Sequence, residues 1–349
     1  MTALASLSML EARLRETPAA VSRALEAPRL EALAPLAGLP VLATGAGGSS
    51  LAAKLLVSEL SRLGLASARY LPPSAFTSPR PERGHLAVIV SQGLSPHARL
   101  ALDATTEVGD VVLLTSSDEL DRVGAEGARP RPKPLRVPLE VEPEEGLLVR
   151  VTGPAAAAAL ALRVARALGR GEPFTSDERG ELAAALAGAR ARAREAAARR
   201  PSAVELARAD AGLALVTVGE HGERLAPLAW GLMETLLVQA PPCLDALGLA
   251  HGALQAVWDR PMVWITLEHR GGALDPEIHR HLEAALGPRH ALVRLVSPLP
   301  MPLAALDLHH ALAWLTLELA WPRAHDLRDW PGKGRDDALF RLGAERGSG

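Results

Sequence analysis

A glycine-rich turn, a serine-bearing turn and a glutamate–histidine pair are the features of this chain whose residue types and spacing could do chemistry. The first lies in LATGAGGSSLAAKLL (residues 42–56), where Gly45, Gly47 and Gly48 lead into Ser49 and Ser50. Glycine lets a backbone approach a ligand closely and take positive φ, and a helix start offers unpaired N–H groups and a partial positive charge. Such a turn can cradle an anion, and the serine hydroxyls add donors. The second is Ser91-Gln92-Gly93-Leu94-Ser95-Pro96 in HLAVIVSQGLSPHARLAL, with Pro96 suited to the first turn of a helix. Side by side, the two turns would hold a phosphate without a lysine or a metal. Two other readings compete: a serine-capped turn that binds nothing, and a dinucleotide site. Against the dinucleotide, Ser50 takes the sixth position of G-x-G-x-x-G, and Ala66-Ser67-Ala68-Arg69 stands where an acidic ribose ligand is expected. Arg69 leaves the phosphorylated dinucleotide open.

The third feature is in LAPLAWGLMETLLVQAPPCLDALGLAHGALQAV, which carries Glu234 among Leu232, Met233, Leu236 and Leu237, and His251 in a His-Gly-Ala run opening another helix. A carboxyl group in apolar surroundings is desolvated, and its pKa rises toward that of a useful base. The plainer alternative is a carboxylate on a solvated helix stripe. A carboxylate and a histidine suffice to move a proton between adjacent carbons. Other candidates carry less. Cys243 has no neighbouring base and reads as a packed core residue. His309 and His310 point about 100° apart on a helix, cannot simply chelate one ion, and read as packing or surface residues. Trp230, Trp258 and Trp264 lie in apolar runs and are expected in the core.

These residues need a frame, and the pattern supplies one. Short β-rich runs at 41–43, 86–90, 110–114 and 135–137 alternate with helical patterns at 50–63, 96–107 and 154–168, the signature of a parallel sheet covered by helices. A helix capped by Ser176 or Asp177 and ended by Pro201 follows as a connector. The pattern then restarts: strands at 213–218, 262–267 and 291–296, helices at 223–238, 276–286 and 302–319, and a turn at Gly219. Two strand–glycine–helix openings, at Gly45 and Gly219, point to a duplicated domain. The expected division is 1–172, a first domain with a leading helix; 173–200, a helical connector; and 201–349, a second domain with a closing tail.

Composition excludes several classes. The chain has 349 residues, 48% hydrophobic and 22% charged, with net charge −2, which argues against a nucleic-acid partner. The proline-spaced GARPRPKPLRVP reads as an extended connector, not a basic patch. The alanine run near 154–162 is bounded by Arg163, so no membrane span is expected, and the charged N-terminal helix is not a targeting signal. The single cysteine excludes an internal disulfide and fits a cytoplasmic protein.

The motifs resemble those of the sugar isomerase (SIS) domain family, in particular the tandem isomerase half of glucosamine-fructose-6-phosphate aminotransferase and its stand-alone relatives. After Met9, Glu16 and Pro18 in RLRETP fit the family's opening M-x-x-E-I-x-E-Q-P, with Thr17 in place of glutamine. Gly45, Gly47, Gly48 and Ser49 match G-x-G-[TS]-S. Ser91 and Gln92 match S-Q-S-G-x-[ST], with Gly93 taken as the motif's glycine, Ser95 as its last hydroxyl and the middle serine absent. The resemblance implies an α/β fold of two SIS domains, each a mainly parallel, flavodoxin-like sheet flanked by helices. It implies a sugar-phosphate ligand on Gly45, Gly47, Gly48, Ser49, Ser50, Ser91, Gln92 and Ser95. It further implies Glu234 as the isomerising base, His251 as a ring-opening group reaching across a homodimer, and Lys333 as the lysine of the closing segment, with no cofactor or metal. The family's two lysines before the glutamate are Gly231 and Met233 here, and Ala253 replaces a proline. Met1 is not followed by the cysteine of a glutaminase, so glutamine-driven amination is not expected. The expectation is thus a hexose or amino-hexose phosphate isomerase, or alternatively a sugar-phosphate-binding regulator that kept the fold and lost turnover.

Overall fold

The computed structural model describes residues 2–26, 30–77, 84–105, 109–118, 134–208, 211–218, 222–272, 276–287 and 289–341. Gly219 and the connector up to Lys133 lie outside them. The chain groups into two compact units, each built around one parallel sheet. One comprises Ala19–Glu145, Thr152–Thr175 and Pro331–Gly349; the other comprises Met1–Pro18, Gly146–Val151 and Ser176–Trp330. The chain therefore crosses between units at 18, 145, 151, 175 and 330, where the sequence reading placed boundaries at 172 and 200. The first of these crossings falls inside helix α1 (Thr2–Glu26), at its internal Pro18.

The first unit holds β1 (Val41–Gly45), α2 (Ser49–Arg62), β2 (Arg69–Tyr70), β3 (Leu86–Val90), α3 (Pro96–Ala104), β4 (Val111–Thr115), β5 (Leu135–Pro138) and α4 (Thr152–Leu168). Every residue of β1, β3 and β4 is buried, as continuous apolar runs require when helices cover both faces of a parallel sheet. The strand order is β2-β1-β3-β4-β5, all parallel. β1 is followed by strands on either side, which makes the gap between β1 and β3 the topological switch point, where the carboxyl ends of an open sheet leave a ligand crevice. The alanine run of α4 has a structural purpose: Ala155 to Ala159 are all buried, and α4 packs along α2. Small side chains let the two backbones come close.

The second unit repeats the plan. It contains α5 (Ser176–Arg199), α6 (Pro201–Arg208), β6 (Gly212–Thr217), α7 (Leu228–Leu236), β7 (Cys243–Asp245), β8 (Met262–His269), α8 (Pro276–Leu286), β9 (His290–Ser297) and α9 (Leu303–Ala320). The order β7-β6-β8-β9 copies β2-β1-β3-β4, and among the described residues no strand takes the place of β5. The helix read as a connector, α5, packs against α9 in this unit. α9 is apolar on nearly all sides and buried, and its fully buried Asp307 is ion-paired with Arg192 of α5.

Two strands escaped the sequence reading, β2 and β7, both edge strands too short to show a period, and so did the short helix α6, which starts at the Pro201 read only as a helix end. The helix expected over 223–238 is broken: one turn spans Gly222–Leu225, and α7 begins after Pro227, which lacks the N–H a continuous helix needs. Cys243 is half-buried on the edge strand β7 instead of in the core. Trp264 is in the core, whereas Trp230 and Trp258 are 41% and 49% exposed. A lone exposed tryptophan keeps its apolar neighbours in sequence, so local composition misplaces it.

His310 is buried, and its Nε2 accepts the indole N–H of Trp314 at 3.1 Å. Burial pushes the His310 pKa down to about 3, with His309 and Arg192 adding repulsion, and burial pushes His309 down to about 4. Unfolded, both histidines protonate near 6.5. Between that value and 3–4 the unfolded chain binds protons that the folded chain refuses, so stability falls as pH drops through this window. Urea melts at pH 7 and pH 4.5 are expected to show lower stability in acid, and His310→Asn is expected to flatten that dependence.

Candidate functional site

The turn after β1 explains its three glycines separately. A Cβ on Gly45 would lie 2.6 Å from the Ser49 carbonyl oxygen, so the strand and helix meet too closely for a side chain. Gly47 has φ +53°, the left-handed region. A Cβ on Gly48 would lie 2.9 Å from Cγ of Pro154 in the first turn of α4. Gly48, not a serine, is the N-cap of α2. The Ser50 hydroxyl donates to the Gly47 carbonyl at 2.6 Å, which commits its proton inside the turn. Ser49 is partly exposed at the helix start. Among the described residues no group accepts from the N–H of Gly47 or Gly48.

The turn after β3 leaves the same edge of the sheet, since Gly45 is in register with Val90. Ser95 caps α3: its Oγ accepts from the Ala98 N–H at 3.4 Å, ahead of Pro96. Ser91 Oγ accepts the Ser95 N–H at 3.0 Å. Both hydroxyls are acceptors in these bonds, so each keeps its own proton to donate elsewhere. The left-handed residue of this turn is Leu94, φ +49°, and not Gly93, which the sequence reading had taken as the motif's glycine. Leu94 is held there by burial among Ala98, Ala101 and Leu113, at a backbone cost of about 1–2 kcal/mol. The Gln92 carbonyl accepts from Ser116 N at 2.9 Å and Ser116 Oγ at 2.6 Å, anchoring the turn to the end of β4. The Gln92 side chain is buried, and among the described residues its Nε2 has no hydrogen-bond partner. An orphaned buried amide N–H costs free energy, which an anion accepting from it would recover.

The start of α4 completes the arrangement, and sequence reasoning missed it. Glu144 is buried, and its carboxylate accepts from the N–H of Thr152 at 3.0 Å and of Gly153 at 2.7 Å. A negative side chain thus caps the positive end of α4. Gly153 abuts the Gln92 amide so closely that any Cβ would collide with it, while Pro154 abuts Gly48. The first turn of α4 therefore backs both phosphate-type turns. The missing signal is non-local: Glu144 reaches residues eight and nine positions away, outside any capping-box spacing. Gly153→Ala is expected to push the Gln92 amide out of place and weaken binding of a phosphate probe at the turns about tenfold, measured by calorimetry, with little change in melting temperature because a side-chain end can yield.

The acid–base candidates sit on the other unit. Glu234 lies on α7, and burial pushes its carboxyl up to about 7 against the opposing pull of Arg150. His251 closes the turn Gly248–Ala250 and is exposed, with Gly252 at φ +98° behind it. It precedes a single helical turn, Ala253–Ala256, and not a long helix. Among the described residues no hydrogen bond or ion pair joins Glu234 to His251. Lys333 is exposed on the closing segment of the first unit. That segment is anchored beside the second turn: the His97 ring, on the first turn of α3, lies 3.3 Å from the Leu339 carbonyl oxygen and edge-on to Phe340 at 5.7 Å. The structure therefore brings Gly45, Gly47, Gly48, Ser49, Ser50, Ser91, Gln92 and Ser95 to one sheet edge, and carries Glu234 and His251 on separate elements of the second unit. Among the described residues no three His, Cys, Asp or Glu side chains group as metal ligands would, and no helix is long and apolar enough to cross a membrane.

No protein-family model matches the chain, and no curated protein matches it in sequence. Solved structures do. A glucosamine-6-phosphate deaminase from Thermotoga maritima superposes with a TM-score of 0.70 at 14% identity, covering 92% of this chain and 97% of that one. The C-terminal domain of glucosamine-fructose-6-phosphate aminotransferase from Francisella tularensis gives 0.65 at 14% identity, covering 92% and 98%. A tagatose-6-phosphate ketose/aldose isomerase from Escherichia coli gives 0.60 at 14% identity, covering 94% of each chain. At such identities the likeness shows the fold: two parallel-sheet units of the SIS type, over nearly the full length of each neighbour.

Proposed function

We propose that the protein is a phosphosugar isomerase acting on a hexose or amino-hexose phosphate. The observation that carries this reading is the pair of turns at the β1/β3 switch point, with the orphaned Gln92 amide buried in one and the uncommitted N–H groups of Gly47 and Gly48 in the other. The phosphate would take donors from these groups and from Ser49, Ser91 and Ser95; Ser50 would shape the turn from within. Glu234 would remove the proton from the carbon beside the carbonyl and return it to the neighbouring carbon, while the hydroxyl proton moves between the two oxygens. A carboxyl poised near 7 suits both halves of that transfer. The exposed His251 would assist ring opening, in the partner's site of a cytoplasmic homodimer, and Lys333 would close over the sugar. The solved neighbours support the substrate class, since those named above act on sugar phosphates or belong to an enzyme named for one.

A second reading is favoured by one observation. Gly231 and Met233 stand where the family has lysines, and an enediolate without a nearby cation is less stabilised. A sugar-phosphate-binding regulator would tolerate that loss. Incubation with fructose 6-phosphate and with glucosamine 6-phosphate in deuterated water separates the two. Deuterium at C1 or C2 of the recovered sugar is the isomerase result; saturable binding without label is the regulator result; neither binding nor label removes both.

A further inference from the structure

The second unit carries a groove that the phosphate turns and the acid–base candidates do not use. Two periodicities and two single residues build it. Arg192, Glu195 and Arg199 recur on one stripe of α5, Leu292, Arg294 and Val296 alternate along β9, and Glu283 comes from α8, with Arg200 between helices. β9 is the free edge of its sheet, at the place where the first sheet has β5. The depression has a volume of about 510 Å³, within the range of small-molecule sites.

Its guanidinium groups outnumber its carboxylates: Arg192, Arg199, Arg200 and Arg294 stand against Glu195 and Glu283. Arg192 reaches the Ala185 carbonyl at 3.0 Å and Asp307, and among the described residues its buried Nε has no partner. Arg294 is held by the buried Glu268 at 2.8 and 2.6 Å, which fixes its guanidinium plane at the groove. Arg200 donates to the Leu292 carbonyl at 3.3 Å and pairs with Glu283. This contact also caps the open edge of β9 against pairing with another strand. Among the described residues Arg199 is paired with Glu195 alone, and both side chains are largely exposed, at 75% and 60%. A pair so exposed contributes little, so a ligand oxyanion can replace Glu195 readily; Glu283, which is 35% exposed and also faces His279 at 3.7 Å, is held more firmly. Arg192 and Arg294 are committed to the buried Asp307 and Glu268, which leaves the forks of Arg199 and Arg200, side by side at the end of α5, for bidentate recognition of phosphoryl oxygens.

The geometry points to a second anion site here, for a small metabolite bearing two adjacent phosphoryl groups. It stands independently of the phosphate turns. Inorganic pyrophosphate is the probe, titrated calorimetrically into the full chain in a Ser49→Ala/Ser91→Ala background that removes two donors of those turns. Saturable binding is expected, weakened about tenfold for each guanidinium lost in Arg199→Ala and Arg200→Ala. Glu195→Gln, which removes a competing carboxylate and no donor, is expected to tighten it several-fold. That tightening is a readout which mere loss of structure cannot produce. Absence of saturable heat in the low-millimolar range overturns the site, as does binding indifferent to all three groove substitutions.

Discussion

Glu234→Gln is expected to abolish exchange of sugar hydrogens with solvent and, at the same time, to make the folded chain more stable above pH 7. Both follow from one burial. General-base catalysis contributes about 10²–10⁴ in rate, and glutamine cannot accept the proton, so label incorporation should fall by at least the lower figure while binding survives. The stability effect has a definite sign. Burial raises the Glu234 carboxyl from 4.5 to about 7, so between these values the folded chain holds a proton that the unfolded chain has lost. Stability therefore declines as pH rises through this window, by about 3 kcal/mol at most. Glutamine does not titrate, and the variant should escape the decline. Urea melts of both proteins at pH 5 and pH 8 test this. Equal pH dependence would mean a solvated carboxylate, and undiminished exchange would place the base elsewhere. The acid-side loss from His309 and His310 runs from about 6.5 down to 3–4 and so overlaps the Glu234 window with the opposite sign; the Glu234→Gln and His310→Asn variants, not the pH axis, separate the two effects.

Particular residues show how far the sequence carried this reading. β3 and α8 lie where their patterns put them, because a buried parallel strand is a continuous apolar run and α8 has apolar residues on one face. Gly45 and Ser95 were legible for local reasons: a strand-to-helix junction too tight for a Cβ, and a serine before a proline at a helix start. What stayed hidden was set by partners distant in the chain. Nothing near Leu94 announces a left-handed leucine, which a core of neighbouring helices and strands holds in place. Nothing near Ser50 tells whether its hydroxyl faces a ligand or the Gly47 carbonyl. The edge strands β2 and β7 are defined by pairing to β1 and β6, not by a pattern of their own.

Glu144→Leu is the substitution expected to damage fold and site together. The carboxylate satisfies two backbone N–H groups at the buried start of α4. Leucine fills similar space and leaves both donors without an acceptor, at about 1–3 kcal/mol each, and it removes a negative charge from the positive end of a long helix, worth a further fraction of a kcal/mol. A loss on the order of 3–5 kcal/mol is therefore expected in denaturant melts, near the total stability of a small domain. Glu144→Gln, which keeps one good acceptor and loses the charge, should fall between. The functional consequence follows from what α4 backs. Gly153 supports the Gln92 amide and Pro154 supports Gly48, so a frayed first turn loosens both phosphate-type turns. In Glu144→Gln, which is expected to remain folded, sugar-phosphate affinity should weaken by about tenfold, while the Glu234 proton transfer, carried on another unit, keeps its pH profile once substrate is saturating. A Gln variant with wild-type affinity would show that the two turns hold their shape without α4, and the phosphate site would then have to be sought on the turns alone.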